Sequence, residues 1–531
     1  MPEFSGASHP RPSGLALPPP SEPLPGSRHD KDIPVLASLR QRPNFVFALL
    51  AVYFATNLIL RLLLPRSLDL DEGEQLFLAQ WLAAGYNSQP PLYNWLQYGV
   101  VALLGPTLFS LALLKNLMLF ASYLFFGLAA NTVLRSRELA IVAVLGLLTI
   151  PQVSFEAQRD LSHTVAVIFA TSLFLYAFLR TLKTGTTVSY MLTGLAVGLG
   201  VISKYNFVLL PAAAALAVLP EPAFRRRLFD WRILLAGLVA LLVFLPHGLW
   251  FLDHVGDATG RTLGKLTSEE TSGRTEQILT GLVSLVLAFI GFSALTLLPF
   301  ALIFREDLKA ILRARSEWTR LFARIFLISA IALVLMVFFG ATNIKDRWLT
   351  PLYLALPLYL ALKAEAASTD VSAALRRFLP VALTVMVLVP AVLFLRIPVL
   401  GMTGSYEKIN VPYGPAIERM LAEAPAAPAV VVTSDLQMAG NIRLHRPNLP
   451  VFVPGQGPVE PVVDASRPVL VVWRTRDGRP EPRQPEALTS WIAGNTTFTT
   501  AETGEVAVPY HYGRDGDLYH VAFSYLVPKG D

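Results

Sequence analysis

Long apolar stretches recur along this chain from Asn44 onward, and short polar loops separate them. About 20 apolar residues of α-helix cross a bilayer, so the pattern predicts an all-α polytopic membrane protein with about eleven transmembrane helices. Several stretches are shorter than this, and we expect their ends to extend into the loops or the bilayer to thin around them. The predicted stretches are 44–64, 107–134, 139–150, 163–180, 188–202, 207–219, 233–250, 278–303, 321–340, 349–362 and 378–397.

The two ends of the chain follow other patterns. Residues 1–43 contain ten prolines and few large apolar side chains, which predicts a disordered, Pro-rich cytoplasmic tail. After the transmembrane region at 44–397, short β-branched runs bordered by Pro, Asp or Gly are typical of strands. Residues 398–531 are therefore predicted to form a small α/β domain outside the cytoplasm. Its predicted elements are strands at Val430–Thr433, Val451–Val453 and Val469–Trp473 and a helix at Met438–Leu444.

Composition strengthens the membrane interpretation. The 531 residues are 53% hydrophobic and 15% charged, whereas soluble chains carry about 25% charged residues. This excludes a disordered regulator, a coiled coil and an ordinary cytosolic enzyme. The net charge is +6 without a long basic run, so a nucleic-acid partner is not indicated. No cysteine is present, which excludes disulfides, thiolate metal sites and a Cys nucleophile.

The distribution of Lys and Arg predicts the orientation. With the N-terminus in the cytoplasm, the five short inner loops hold sixteen Lys and Arg, and the five outer loops hold eight although they are longer in total. The positive-inside rule favours this orientation over its reverse. The inner loops are 135–138, 180–187, 221–232, 304–320 and 363–377, and the outer loops are 65–92, 151–162, 203–206, 251–275 and 341–348.

The first outer loop has the densest group of acids. Asp69, Asp71, Glu72 and Glu74 lie within six residues. The amphipathic run after them, with Leu76, Leu78, Trp81 and Leu82, is predicted to lie flat on the membrane surface. The turn Pro90-Pro91 leads into a second apolar stretch at 92–104. Two interpretations are open: the acids cap a helix in a solvated loop, or they carry out acid–base chemistry.

The remaining outer loops carry further charged and aromatic residues. Arg159-Asp160, Lys204, His254 and Arg347 occur in four different loops. Each has an ordinary explanation, such as a structural ion pair, a snorkelling lysine or an aromatic belt. Together they place acids and cations on one side of the membrane. This suits a phosphate-bearing substrate and a reaction that needs a base.

The order of these motifs resembles that of the bacterial polytopic glycosyltransferases of the dolichyl-phosphate-mannose protein mannosyltransferase type. This group includes the aminoarabinose transferases of lipid A and the rhizobial galacturonosyltransferases, in glycosyltransferase families 39 and 83, with the GT-C fold. The motifs that carry the resemblance are Asp71-Glu72, Gly85-Tyr86, Pro90-Pro91-Leu92-(x)2-Trp95, Arg159-Asp160, Ser203-Lys204-Tyr205, Pro246-His247-(x)2-Trp250 and Asp346-Arg347-Trp348-(x)2-Pro351.

The resemblance implies a reaction on the outer, periplasmic face of the bacterial inner membrane. A sugar would pass from a polyprenyl-phosphate donor to a hydroxyl of lipid A, a glycan or a protein, with inversion at the anomeric carbon. It implies Asp71 as the general base, with Glu72 and Asp160 as the other catalytic acids. Lys204, Arg347 and His254 would bind the donor phosphate, and the expected substrate contacts are Tyr86, Gln89, Tyr93 and Tyr205.

Some alternatives stay open. Some relatives have Lys where this chain has Gln89, so Lys204 and Arg347 act without it or the donor differs. Asp69 competes with Asp71 for the role of base, and a divalent metal between Asp71, Glu72 and outer histidines is an option that no ligand spacing requires. The main rival function is a lipid or glycan transporter. Lys115 and Asn116 inside an apolar stretch are the feature that favours it.

Overall fold

The computed structural model describes residues 34–86, 88–256, 258, 260, 264, 273–457, 464, 466–474, 484–495 and 497–529. The predicted tail lies outside the described residues as far as residue 33. Its last part departs from the prediction, because Pro34–Gln41 forms a helix whose Leu36 and Leu39 are buried in the main core. Apolar burial thus orders a segment that its neighbouring prolines assigned to the tail.

The first half of the chain is helical. In chain order its α-helices are α1 (Pro34–Gln41), α2 (Phe45–Leu63), α3 (Leu70–Leu78), α4 (Leu92–Leu104), α5 (Leu108–Val133), α6 (Arg137–Gly146), α7 (Ala157–Arg159), α8 (Ser162–Thr184), α9 (Thr187–Val201), α10 (Leu209–Val218), α11 (Pro222–Leu228) and α12 (Ile233–Asp253). Short 3-10 turns occur at Leu147–Thr149 and Tyr205–Val208, and a π-helical turn at Gln152–Glu156.

The second half adds further helices and five strands. In chain order the helices are α13 (Arg274–Ile303), α14 (Leu308–Arg313), α15 (Glu317–Phe338), α16 (Thr350–Tyr353), α17 (Leu356–Ala366), α18 (Val371–Thr403), α19 (Tyr413–Ala422), α20 (Leu436–His445) and α21 (Glu486–Gly494). The strands are β1 (Val430–Thr433), β2 (Val451–Phe452), β3 (Val469–Arg474), β4 (Phe498–Pro509) and β5 (Leu518–Pro528). Two 3-10 turns lie at Asp346–Trp348 and Lys408–Asn410.

All eleven predicted apolar stretches are helical in the structure. Seven described helices are long and apolar enough to cross a membrane, and an eighth span results if Arg137–Thr149 and Gln152–Arg159, bent by 70°, count as one. The other stretches form shorter helices such as Thr187–Val201. The chain is therefore a multi-pass membrane protein with a mostly helical fold.

The spans differ in how much of their surface is covered. In α8, 83% of the most apolar 18-residue window is buried, whereas in α12 only 11% is buried. A helix that is apolar and buried on all sides lies at the centre of a bundle, and one with an exposed apolar surface faces lipid. Helix α8 is thus the central span among the described helices.

The C-terminal region forms one five-stranded mixed sheet of order β2-β1-β3-β5-β4. Strand β1 pairs in parallel with both β2 and β3, and β5 pairs antiparallel with β3 and β4. The predicted strands at 430–433, 451–453 and 469–473 and the helix at 438–444 correspond to β1, β2, β3 and α20. The last long helix, α18, continues to Thr403 before this region begins.

The first outer loop departs from one expectation. Leu76 and Leu78 are almost fully buried rather than lying flat on a membrane surface. Phe77 and Leu78 pack into the core formed by α19, α20 and the sheet. Leu76 packs with Val101, Leu108 and Leu111 of α4 and α5 and with Leu444 of α20. The prediction is wrong for both leucines, because protein rather than lipid supplies their apolar contacts.

Candidate active site

Helix α3 carries the acids of the first outer loop, and its start is fixed by a capping box. The Asp69 carboxylate accepts a hydrogen bond from the backbone N–H of Leu70 at 2.9 Å, and the Glu72 carboxylate accepts one from the N–H of Asp69 at 3.2 Å. Such reciprocal caps satisfy donors that a helix end leaves unpaired. Asp71 is therefore held rigidly on the first turn.

Asp71 and Asp160 join two outer loops. The backbone N–H of Asp71 donates to Asp160 Oδ1 at 3.1 Å, and the N–H of Ser162 donates to Asp71 Oδ2 at 2.8 Å. Leu161, between Asp160 and Ser162, adopts a left-handed backbone conformation with φ 58°. This geometry is costly and persists only where the surroundings enforce it. The Asp71 carboxylate sits at the N-terminus of the central helix α8, where the helix dipole favours negative charge.

Asp160 has a different environment from Asp71. Its side chain is 8% exposed. Burial raises the pKa of Asp160 well above its usual value, and the nearby charges of Asp71 and Asp69 raise it further. The uncharged form of Asp160 is therefore favoured over a wider pH range than that of an exposed aspartic acid.

Asp71 and Asp160 border a cleft of about 440 Å³. Six of the predicted site residues line it, two acids, two cations and two polar neighbours, namely Asp71, Asp160, Lys204, Arg347, Gln89 and Tyr205. Arg159 adds a third cation to the lining. Asp69 does not line the cleft, which favours Asp71 over Asp69 as the acid that meets a substrate there.

The three cations that line the cleft differ in how far other groups of the protein already engage them. Lys204 Nζ donates to Thr164 Oγ1 at 3.3 Å, and Arg159 pairs with Glu156 at 2.9 Å. Within the part of the chain that the structure describes, the guanidinium of Arg347 has no hydrogen-bond or ion-pair partner. An arginine with free donors beside a lysine is well suited to an oxyanion such as a phosphate.

Glu72 does not line this cleft. Its carboxylate is 3% exposed and receives two hydrogen bonds from Arg61, from Nε at 3.0 Å and from Nη2 at 2.6 Å. Lys115 Nζ lies 3.7 Å from it. Burial alone would raise the pKa of Glu72, but Arg61 and Lys115 outweigh it and lower the pKa to about 2. An acid this firmly ionised and paired is a poor proton carrier and a good anchor for α3.

Three other predicted residues are also absent from the lining of the cleft. The Tyr86 hydroxyl donates to the carbonyl of Trp81 at 3.0 Å and accepts from the N–H of Ala83, which closes the turn after α3. Tyr93 is 1% exposed, with its ring 6.4 Å from the His163 ring. His254 is exposed and stacks on Trp250 with ring centroids 4.6 Å apart. The fold does not bring these side chains to the cleft lining.

Glu74 and His163 are further titratable residues outside the predicted set that line the cleft. His163 accepts from Gln75 Nε2 at 3.3 Å, and the oxygen of Gln75 accepts from Asn94 Nδ2 at 3.1 Å. The position of His163, three residues after Asp160 at the start of an apolar helix, was the available signal in the sequence. That this histidine rather than His254 reaches the cleft depends on how α8 packs.

Tyr205 is oriented by a buried histidine. His247 Nδ1 lies 3.0 Å from the carbonyl oxygen of Ala84, and His247 Nε2 lies 3.1 Å from the Tyr205 hydroxyl. A carbonyl only accepts, so Nδ1 carries the proton and Tyr205 donates to Nε2. This ties together the motifs that contain Gly85, Tyr205 and His247.

The described residues do not fit a metal ion at this site. No group of three or more His, Cys, Asp or Glu side chains converges among them. Glu72, one of the candidate ligands, is engaged by Arg61, and His254 lies elsewhere.

Helix α20 of the C-terminal region holds α3 at both ends. Gln437 Nε2 donates to the carbonyl of Leu68 at 2.6 Å, and the N–H of Leu68 donates to Asn441 Oδ1 at 2.9 Å. Near the other end, Arg443 Nη1 donates to the carbonyl of Leu76 at 2.6 Å. These bonds satisfy backbone groups that helix ends leave unpaired. The C-terminal region therefore takes part in positioning Asp71.

Comparisons with known proteins identify relatives of this chain. The sequence profile of the family described as dolichyl-phosphate-mannose-protein mannosyltransferase matches residues 88–250. The chain is 44% identical to the lipopolysaccharide core galacturonosyltransferase RgtB of Rhizobium johnstonii, over 93% of this chain and 99% of that protein. It is 42% identical to the lipopolysaccharide core galacturonosyltransferase RgtA of the same organism, over 91% of this chain and 97% of that protein.

The fold is similar to two crystal structures of ArnT from Cupriavidus metallidurans. The apo structure matches with a TM-score of 0.58 at 14% identity, over 92% of this chain and 98% of that one. The structure bound to undecaprenyl phosphate matches with a TM-score of 0.58 at 14% identity, over 90% of this chain and 97% of that one. At this identity the likeness establishes a common fold.

Proposed function

This chain belongs to the family of the rhizobial lipopolysaccharide core galacturonosyltransferases and is a membrane glycosyltransferase, and on that premise we propose that it transfers galacturonic acid from a polyprenyl-phosphate donor to a lipopolysaccharide core acceptor. The observation that carries the proposal is the single cleft that Asp71, hydrogen-bonded to Asp160, lines together with Lys204 and Arg347.

The proposed reaction is a single displacement at the anomeric carbon. The Asp71 carboxylate takes the proton of the acceptor hydroxyl as its oxygen bonds to that carbon, and the bond from the carbon to the donor phosphate breaks. The electron pair leaves with the lipid phosphate. A single displacement inverts the configuration, and the carboxylate contributes about 10²–10⁴-fold as a general base.

Lys204 and Arg347 receive the leaving group in this proposal. Negative charge on the phosphate oxygen grows as the bond breaks, and fixed cations stabilise that state more than the ground state. The Arg347 guanidinium supports this role because it is not engaged by the described residues. His163 borders the same space and would contact the sugar.

The other predicted acids act by positioning. Asp160 fixes the backbone of Asp71 at 3.1 Å, and Glu72 anchors α3 through Arg61. Neither transfers a proton in this scheme. We do not assign donor contacts to Tyr86, Tyr93 or His254, since their side chains do not line the cleft.

The proposed location is the bacterial inner membrane, with the cleft on the periplasmic face. The excess of Lys and Arg in the five inner loops supports a cytoplasmic N-terminus. The proposed division is a transmembrane glycosyltransferase domain at 44–397 and a periplasmic α/β domain at 398–531. A reporter fused after Gly404, where α18 has ended, should be active only on the periplasmic side.

Transfer in detergent micelles tests the function against the rival transporter. Purified protein is mixed with a polyprenyl-phosphate galacturonic acid and with lipopolysaccharide from a strain that lacks this gene, and the product is analysed by mass spectrometry. A detergent micelle does not separate two compartments, so transport across it cannot occur. A transporter therefore yields no new covalent product. A gain of one galacturonic acid residue supports the proposal, and an unmodified acceptor contradicts it.

A further inference from the structure

A second cavity borders the Glu72 side of α3, and we call it the rear cavity. Its walls come from α2, α5 and α18 and from the residues just before Asp160. Arg159 lines both the rear cavity and the catalytic cleft. The two spaces therefore flank the same turn that carries Asp71.

The rear cavity is lined by cations. Arg61, Lys115, Arg159 and Arg396 line it, and Glu72 is the one carboxylate among its lining residues. Glu156 and Glu407 pair with Arg159 and Arg396 from outside the lining, and both are about 30% exposed. Exposed partners are screened by water more than buried ones. The lining itself thus carries an excess of positive charge.

Lys115 and Arg396 have hydrogen-bond donors that the described residues do not fully satisfy. Lys115 is 5% exposed, and its Nζ makes only long contacts, 3.7 Å to Glu72 and 3.4 Å to the carbonyl of Gln158. Arg396 Nε is buried without a hydrogen-bond partner in the described structure. A buried cation with unused donors is costly unless a ligand satisfies it.

The size of the rear cavity and its apolar wall limit which kinds of ligand can bind there. Its free volume is about 40 Å³, room for about three waters at roughly 10–15 Å³ each. A carboxylate or phosphate group fits this space and a sugar ring does not. Leu60, Leu64, Leu393 and Phe394 give the lining an apolar side, next to the amides of Asn57, Asn116 and Gln158. The ligand therefore joins an anionic group to an apolar part.

We propose that the rear cavity is an oxyanion subsite that holds a carboxylate or phosphate of the acceptor while the acceptor hydroxyl faces Asp71. This rests on the proposed function, because it needs an acceptor that meets Asp71. It assigns Lys115, the buried lysine that favoured a transporter, to binding. The competing explanation is that the cations only hold Glu72 and α3 in place.

Two variants on different walls test the subsite. Lys115→Met leaves Glu72 paired with Arg61, and Arg396→Gln leaves the half-exposed Glu407 to solvent. Each should raise KM for the acceptor roughly 10–100-fold, the usual size of a lost charged hydrogen bond, with kcat and donor KM within about twofold of the wild type. Lys408→Met, an exposed cation on the same side, is the matched control and should leave all three constants unchanged.

Modified acceptors identify the anion. Two modified acceptors are needed: lipopolysaccharide treated with phosphatase, and lipopolysaccharide methylated at its carboxyl groups. Each should be assayed with the wild type and with Lys115→Met. The treatment that removes the bound group should abolish the difference between the two proteins. Inorganic phosphate, used as a probe, should compete with the acceptor in the wild type and less well in the variants.

Other results overturn the subsite. A fall in kcat with unchanged acceptor KM means that the cations only position α3. An equal rise in KM for native and doubly modified acceptors also contradicts it. If one variant fails to fold, the other decides. A wild-type protein that transfers no sugar refutes the proposed function itself, and is distinct from either result.

Discussion

Gly440 of α20 lies directly against the backbone of Gly73 in α3. A Cβ atom at Gly440 would be 2.1 Å from the carbonyl oxygen of Gly73, and one at Gly73 would be 2.7 Å from the Cα of Gln437. No side chain fits between the helices, and the hydrogen bonds of Gln437 and Arg443 fix their register. The position of Asp71 therefore depends on a helix that lies far away in the sequence.

Gly440→Ala should lower kcat by about 10²-fold, because a shift of about 1 Å in a catalytic group costs that much. The added methyl group cannot be placed without moving α3 or α20. The transmembrane helices are not touched, so the amount of protein in the membrane should stay near the wild-type level. Steady-state transfer in detergent, with expression measured in the same membranes, checks this.

Gly99→Ala is the matched control. Gly99 lies inside α4, and a Cβ there would meet nothing within 4 Å. Alanine is favoured over glycine in a helix by about 1 kcal/mol, so activity should be unchanged. Wild-type kcat for Gly440→Ala would show that α20 does not position Asp71.

Asp71→Asn should reduce kcat by at least about 10²–10⁴-fold, the contribution of a general base. The amide oxygen still accepts the bond from the N–H of Ser162, so the structure is retained and only the basicity is lost. Asp69→Asn is the comparison, since asparagine is also a good N-cap and Asp69 does not line the cleft. Loss of activity in Asp69→Asn alone would transfer the role of base to Asp69.

Local patterns predict some parts of this molecule and miss others for a physical reason. The eleven apolar stretches and the strands β1 to β3 follow from side chains within one element, so they are readable without the fold. The order of the loop motifs also picks out Asp71, Asp160, Lys204 and Arg347, which the structure brings to one cleft.

What the sequence missed depends on contacts between distant segments. Glu72 turns away from the cleft because Arg61 and Lys115, on two other helices, neutralise it. His254 stacks on Trp250 instead of reaching the cleft, and His163 is there because α8 is central. The burial of Leu76 by α4 and α5 together with Leu444 of α20 is another such case.

Asp160 should make stability depend on pH. Burial, followed by the charge of Asp71, raises the pKa of Asp160 in the folded state, so the folded protein binds more protons than the unfolded chain above pH about 4. The free energy of unfolding should therefore fall as pH rises from about 4 through the raised pKa. Asp160→Asn keeps an oxygen for the N–H of Asp71 and removes this titration.

Thermal unfolding in detergent at several pH values checks this. Asp160→Asn and the wild type should have similar Tm near pH 4, and the variant should be the more stable protein at higher pH. Asp253→Asn, which changes an exposed carboxyl group at the end of α12, should follow the wild-type curve. Parallel curves for Asp160→Asn and the wild type at all pH values would mean that Asp160 ionises as an ordinary carboxyl group.

Lys204→Met and Arg347→Met should weaken the handling of the donor phosphate. Each variant removes a cation from the cleft lining, and a hydrogen bond to a charged group is worth about 1.5–3 kcal/mol, so kcat/KM for the donor should fall about 10–100-fold. Part of the loss should appear in kcat, because charge on the leaving oxygen grows toward the transition state. Lys345→Met removes an exposed cation two residues from Arg347 and should change neither constant.

Donors with a better leaving group, such as one carrying electron-withdrawing substituents next to the phosphate, should narrow the deficit in kcat/KM of both the Lys204→Met and Arg347→Met variants. An equal deficit with every donor would mean that Lys204 and Arg347 contact the donor without stabilising the leaving phosphate.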